Sequence, residues 1–167
     1  MKDCIFCKII EGEIPSYKIY EDEYTYAFLD IAGDVWGHTL VVPKKHCVNT
    51  LDCDDETLCA VILAAKKIAA HFVENCGFDG VDILNANNEA AQQSVFHLHY
   101  HVIPRKKNDG IDIWGFQEKH EFDFAAAREW FPSPTAYITP FSCAASYSSM
   151  DSASLSSASP TTEYPLM

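Results

Sequence analysis

The chain has 167 residues, 48% hydrophobic and 13% aromatic, which supports the packed core of one domain. Its formal charge of -12 repels DNA, RNA and anionic lipid, so nucleic-acid polymers and membrane surfaces are excluded as partners. A small phosphorylated ligand is still allowed, provided its pocket is built from backbone N–H groups, imidazoles and amides.

In chain order, residues 4–11 read as a short helical turn stopped by Gly12. Residues 17–20 and 24–30 read as strands around the acidic turn Glu21-Asp22-Glu23, with Tyr17, Tyr20, Tyr24 and Tyr26 as strand packing. Residues 39–42 form a third strand closed by Pro43. Residues 54–75 carry Leu58, Val61, Ile62, Ala65, Ile68, Ala69, Phe72 and Val73 at helical spacing, which predicts one long helix. Asp54 is its N-cap and Gly77 its C-terminal stop. Residues 81–84 and 95–103 are the fourth and fifth strands, and residues 123–130 are a candidate last short helix. Hairpin-length loops and one long helix predict an α+β domain with an antiparallel five-stranded sheet.

From Pro132 onward the chain has no Lys or Arg, and Ser and Ala dominate the stretch 142–159. This composition predicts a catalytic domain over residues 1–131 and a disordered tail over 132–167. The start lacks a signal-peptide core and no apolar run spans a membrane, so a cytoplasmic protein is expected, or a nuclear one in a eukaryote. The odd count of seven cysteines fits free thiols better than a disulfide framework.

The chemistry concentrates in Ser94-Val95-Phe96-His97-Leu98-His99-Tyr100-His101-Val102-Ile103-Pro104. As a strand of period two, it puts His97, His99 and His101 on one face and Phe96, Leu98, Tyr100 and Val102 on the other, under the long helix. Three imidazoles on one face call for a cleft, a metal or an anionic ligand. They could hold a catalytic zinc, or serve as nucleophile and general acid or base. Asn85, Asn87, Gln93 and Ser94 lie just before them, and donors of this kind suit phosphate oxygens and leaving groups better than they suit a hard metal. Upstream, Cys4-Ile5-Phe6-Cys7 is open between a redox dithiol, a zinc hook and a chance pair. No thioredoxin-like pattern surrounds it, and zinc would need two further soft ligands.

Residues 85–105 resemble the signature of the histidine triad (HIT) superfamily, in which a Gln and a hydroxyl residue precede alternating histidines. Three further stretches match its Hint-like branch. They are Cys4-Ile5-Phe6-Cys7-Lys8-Ile9-Ile10-Glu11-Gly12-Glu13-Ile14-Pro15, then Tyr20-Glu21-Asp22, then Ala27-Phe28-Leu29-Asp30-Ile31 leading into Gly37-His38-Thr39-Leu40-Val41-Val42-Pro43-Lys44. The resemblance covers residues 3–116. It implies a HIT-like fold and hydrolysis or transfer at the α-phosphate of nucleoside 5′-phosphoramidates or related purine nucleotide conjugates. His99 would be the nucleophile, forming a nucleotidyl-histidine, with His38 and His101 stabilising charge or relaying protons. Ser94 would meet the leaving group, Asn85 and Gln93 the phosphate or ribose oxygens, and Asp30 and Ile31 the nucleoside. The resemblance also implies a structural zinc on Cys4, Cys7, His46 and His97, no organic cofactor, and a homodimer that covers a sheet edge. Gln92 and Asn88 stand where the family commonly has glycine. Three rival functions follow: dinucleoside polyphosphate hydrolysis, a non-catalytic nucleotide-binding adaptor, and a zinc hydrolase using the histidines as ligands.

Overall fold

The computed structural model describes residues 3–113, 115, 125 and 128. The tail expected over 132–167, and all of the helix expected over 123–130 except the helical Ala125 and Arg128, lie outside them. The elements are α1 (Ile5–Ile10), β1 (Lys18–Glu21), β2 (Thr25–Leu29), β3 (Thr39–Pro43), α2 (Asp55–Asn75), β4 (Gly80–Leu84), a 3-10 turn (Glu89–Ala91) and β5 (Tyr100–Arg105). The strands form one antiparallel sheet in the order β1-β2-β3-β5-β4. This is the α+β architecture expected from the sequence.

Side-chain alternation builds two cores from one sheet. Ala27, Val41 and Val102 point to one face, where Val61, Ala64, Ala65, Ile68 and Phe72 of α2 cover them. Tyr26, Phe28, Leu40 and Val42 point to the other, where Phe6 and Ile9 of α1 cover them. β2 and β3 are therefore apolar on both sides, which is why they read as nearly continuous buried runs.

The Asp54 carboxylate caps α2 by accepting from the Thr57 N–H at 3.0 Å and the Thr57 hydroxyl at 2.9 Å. Gly77 ends the helix at φ +71°, where a side chain would be strained. The buried stripe is narrower than the apolar residues implied, because Ile62 and Val73 are exposed. Tyr17 is also exposed rather than packed.

The fifth strand differs most from expectation. It starts at Tyr100, not at residue 95. The stretch before it is diverted from the ladder: His97 N–H donates to the Val95 carbonyl at 2.9 Å, and Leu98 N–H donates to the Cys47 carbonyl at 2.8 Å. Leu98 and Val102 are buried as the alternation requires, but Phe96 is exposed.

Candidate active site

The departure from strand geometry gives the histidines different surroundings. His97 is fully buried beside α1, with its Nδ1 3.4 Å from Cys4 Sγ and 3.6 Å from Cys7 Sγ. His46 Nδ1 lies 3.3 Å from Cys7 Sγ, and the four donor atoms fall within 4.8 Å of one another. A tetrahedral zinc with bonds of about 2.3 Å to sulfur and about 2.05 Å to nitrogen has S–N edges of about 3.5 Å, so the spacing fits. The Pro43 carbonyl accepts from His97 Nε2–H at 2.9 Å, which leaves Nδ1 as a lone pair aimed at the cluster. Burial, then Cys4, push the Cys7 thiol up to about 11, and a divalent cation is the group that would return it to thiolate. The four residues therefore suit a structural zinc. They also take His97 away from His99 and His101, so the three triad histidines do not converge on one ion.

His99 is 4% exposed. Its Nδ1–H donates to the His97 carbonyl at 2.7 Å, which puts the proton on Nδ1 and leaves Nε2 bare. Burial lowers its pKa, against the opposing hydrogen bond to the His97 carbonyl and the charge of Asp30. Phe6 meets the ring edge-to-face at 5.4 Å and the His97 ring at 5.8 Å, so α1 holds both imidazoles. His101 stands beside His99, their ring centroids 5.0 Å apart. Burial, then the neighbouring His99 and His38, lower His101 to about 4.

His38 reaches the same place from the start of β3. Gly37 before it has φ +85°, and a Cβ there would crowd Pro104 at 3.2 Å, so a side chain at this position is strained. His38 Nε2 is 2.9 Å from His101 Nδ1 and 3.7 Å from Asp30 Oδ2, while its Nδ1 is 2.8 Å from Asp34 Oδ1. Asp30 Oδ1 accepts from the Ala32 N–H at 3.0 Å. Leu29, Asp30, Gly33, Val35, Trp36, Gly37 and His38 line a shallow pocket beside these groups. Ile31, next to Asp30 in the chain, is 91% exposed.

The amide residues lie in one network beneath the nucleophile. Asn85 Nδ2–H donates to the His99 carbonyl at 2.9 Å, and its oxygen accepts from Thr50 Oγ1 at 2.8 Å and Asn87 Nδ2 at 2.7 Å. Gln93 is buried and spends its whole side chain on protein partners. It donates to the carbonyls of Val48 and Val95 at 2.7 and 3.0 Å, and accepts from Asn88 N–H and Asn49 Nδ2 at 2.8 and 3.4 Å. Both amides were expected to contact substrate, yet Gln93 keeps no free donor for it and Asn85 keeps one. Ser94 is exposed at the end of this network. Asn88 and Gln92 both adopt positive φ, +71° and +66°, the backbone for which glycine is favoured. Sequence reasoning missed Asn49, Thr50 and Asp34. Only Asp34 carried a signal, an acid four residues before a histidine within one loop.

Fold and site together define a protein that sets bare, buried imidazoles beside a two-cysteine, two-histidine cluster. The HIT domain family model matches residues 11–108, and the chain belongs to that family. An uncharacterized HIT-like protein of Borreliella burgdorferi is 50% identical over 113 residues, 66% of this chain and 81% of its own. Adenosine 5'-monophosphoramidase HNT1 of Saccharomyces cerevisiae is 41% identical over 122 residues, 72% of this chain and 74% of its own. Among solved structures, SMU.412c from Streptococcus mutans superposes with a TM-score of 0.70 at 43% identity, covering 78% of this chain and 82% of its own. A Zn-bound histidine triad family protein from Mycobacterium smegmatis gives 0.64 at 39% identity, covering 67% and 81%.

Proposed function

We propose that the chain is a nucleotide-binding hydrolase that cleaves nucleoside 5′-phosphoramidates, or related purine nucleotide conjugates, at the α-phosphate through a nucleotidyl-His99 intermediate. The observation that carries this reading is the 2.7 Å bond from His99 Nδ1–H to the His97 carbonyl. It fixes the tautomer, and burial keeps the ring neutral, so Nε2 presents a lone pair at physiological pH. Attack by Nε2 forms the P–N bond and expels the leaving group, and water then displaces His99. His101 and His38 flank the phosphorus and handle the protons. Ser94 meets the leaving group, Asp30 binds the ribose hydroxyls, and Ile31 covers the nucleoside. Asn85 and Gln93 work chiefly by fixing the backbone that carries His99, with the remaining Asn85 N–H available to a phosphoryl oxygen. Cys4, Cys7, His46 and His97 would hold a structural zinc, which ties α1 to the catalytic segment and supplies no step of the reaction. The yeast phosphoramidase and a histidine triad nucleotide-binding protein from Candida albicans, 34% identical, support the substrate class.

The test is turnover of an adenosine phosphoramidate and a diadenosine polyphosphate side by side, in wild type and His99→Ala. Turnover in wild type should favour the phosphoramidate and fall by several orders of magnitude in the variant, while nucleoside monophosphate still binds. A denaturing quench should trap an acid-labile nucleotide on His99, and configuration at phosphorus should be retained. Inversion, or full activity in His99→Ala, would promote a metal-activated water instead. Binding without turnover of either substrate would leave an adaptor.

A further inference from the structure

The loop between β2 and β3 brings a second carboxylate to the histidines, and the chemistry proposed above gives it no task. Asp34 Oδ1, His38 Nδ1, His38 Nε2 and His101 Nδ1 form one hydrogen-bonded line, with contacts of 2.8 and 2.9 Å. The line runs inward from an Asp34 side chain that is 52% exposed to a His38 side chain that is 6% exposed. An ionised carboxylate only accepts, so His38 carries a proton on Nδ1. Asp30 cannot do this, because it faces Nε2 at 3.7 Å and already serves the Ala32 N–H. Once Nδ1 is fixed, His38 Nε2 has two states against one partner. A neutral His38 accepts there from His101 Nδ1–H, and His101 Nε2 is bare. A cationic His38 donates there to His101 Nδ1, and His101 Nε2 carries a proton. The 2.9 Å contact serves both states with its donor reversed.

We propose that Asp34 is a positioning residue that fixes the tautomer of His38, so that the His38–His101 pair stores one proton between the two halves of hydrolysis. The proposal rests on the phosphoramidase reading. In the first half the bond from phosphorus to His99 Nε2 forms and the bond to the leaving nitrogen breaks. The leaving nitrogen takes the proton of His101 Nε2, and His38 Nε2–H passes its proton to His101 Nδ1. In the second half water forms the new P–O bond, the P–N bond to His99 breaks, and His99 regains its lone pair. The water proton enters at His101 Nε2, and His101 Nδ1–H returns a proton to His38 Nε2. The imidazolium left on His38 faces Asp34 and Asp30. The cycle gains and loses one proton, and neither carboxylate is protonated.

The same Asp34 oxygen also accepts from the Val35 N–H at 2.8 Å, so loop support is a competing role that the test must separate. The test uses the full chain, wild type against Asp34→Asn and Asp34→Glu, with the adenosine phosphoramidate as substrate. Asp34→Asn should lower kcat by about 10- to 100-fold with KM unchanged within about twofold, metal content and melting temperature being kept. Asp34→Glu should recover part of that loss. The groups facing His38 are Asp34, Asp30 and His101, with His99 behind His101. Wild-type kcat in Asp34→Asn would overturn the proposal. Long-range 15N–1H correlation on labelled wild type reads the tautomer without any substrate, and His38 should carry its proton on Nδ1 in the neutral state. Finding it on Nε2 overturns the proposal. If wild type turns over no phosphoramidate, the functional reading fails, and the spectrum still decides whether Asp34 fixes the ring.

Discussion

Gln93 shows how a residue serves a site without touching a ligand. All four of its hydrogen bonds go to protein, and three of the partners are backbone groups of Val48, Val95 and Asn88. Gln93→Ala leaves buried polar groups unmatched and should cost about 2–4 kcal/mol in denaturant unfolding. Gln93→Glu should be as damaging, because a carboxylate cannot donate to two carbonyls. His101 makes a different prediction. Its value of about 4 lies below the ordinary 6.5, so the unfolded chain binds more protons between those values. Stability from this group is present above pH 6.5 and is lost as pH falls through about 4. Thermal melts at pH 7 and pH 4.5 should show a smaller acid-induced drop for His101→Gln than for wild type. At this scale the family resemblance pointed to Cys4, Cys7, His46 and His97, and the fold brings their ligand atoms within 4.8 Å of one another. The sequence was silent where a side chain's whole valence is spent on backbone, because no spacing marks the carbonyls of Val48 and Val95 as partners of Gln93.

Among the elements, α2 was legible almost to the residue because its cap, its apolar stripe and Gly77 agree. β2 and β3 were legible as strands, but their double-sided burial follows only from α1, whose six residues give too short a period to reveal a face. The stretch 95–99 was misread because alternation describes side chains and not hydrogen bonds. Leu98 is buried in step with Val102 of β5, yet its N–H bonds to the Cys47 carbonyl in place of a neighbouring strand. This diversion turns His97 toward the cysteines. Metal analysis of protein purified without chelator should find about one zinc per chain. Cys4→Ser, Cys7→Ser and His46→Ala should lose it with a clear drop in melting temperature, whereas His99→Ala should keep it. Zinc-free wild type with an unchanged melting temperature would contradict this.

On the scale of the whole molecule, the sheet of the described residues ends at β1 and β4. β4 is short, yet its residues bury only partly, and Ile83 is 39% exposed. An edge of this kind is a site for strand pairing, and a second copy in antiparallel register would continue the sheet. Sedimentation at micromolar concentration should give about twice the chain mass, and Ile83→Lys should shift it toward one. A monomer in wild type would reject the dimer. No helix among the described residues is long and apolar enough to cross a membrane. The net charge of -12 gives an anionic ligand no long-range attraction, so its binding would depend on donors within the site.

The smallness of α1 has a further consequence. Six residues with no side-chain cap do not hold a helix alone, yet this segment covers Tyr26, Phe28, Leu40 and Val42 on one face of β2 and β3. A zinc on Cys4, Cys7, His46 and His97 would keep Phe6 and Ile9 seated. An ion held by those four groups would make residues 3–14 a latch whose strength follows its supply. In metal-starved conditions this latch should open before α2 or the ladder yields. The visible result would be faster clipping near the N-terminus by an added protease, with metal restoring resistance. The lifetime of the protein would then be set by trace-metal supply before its turnover is.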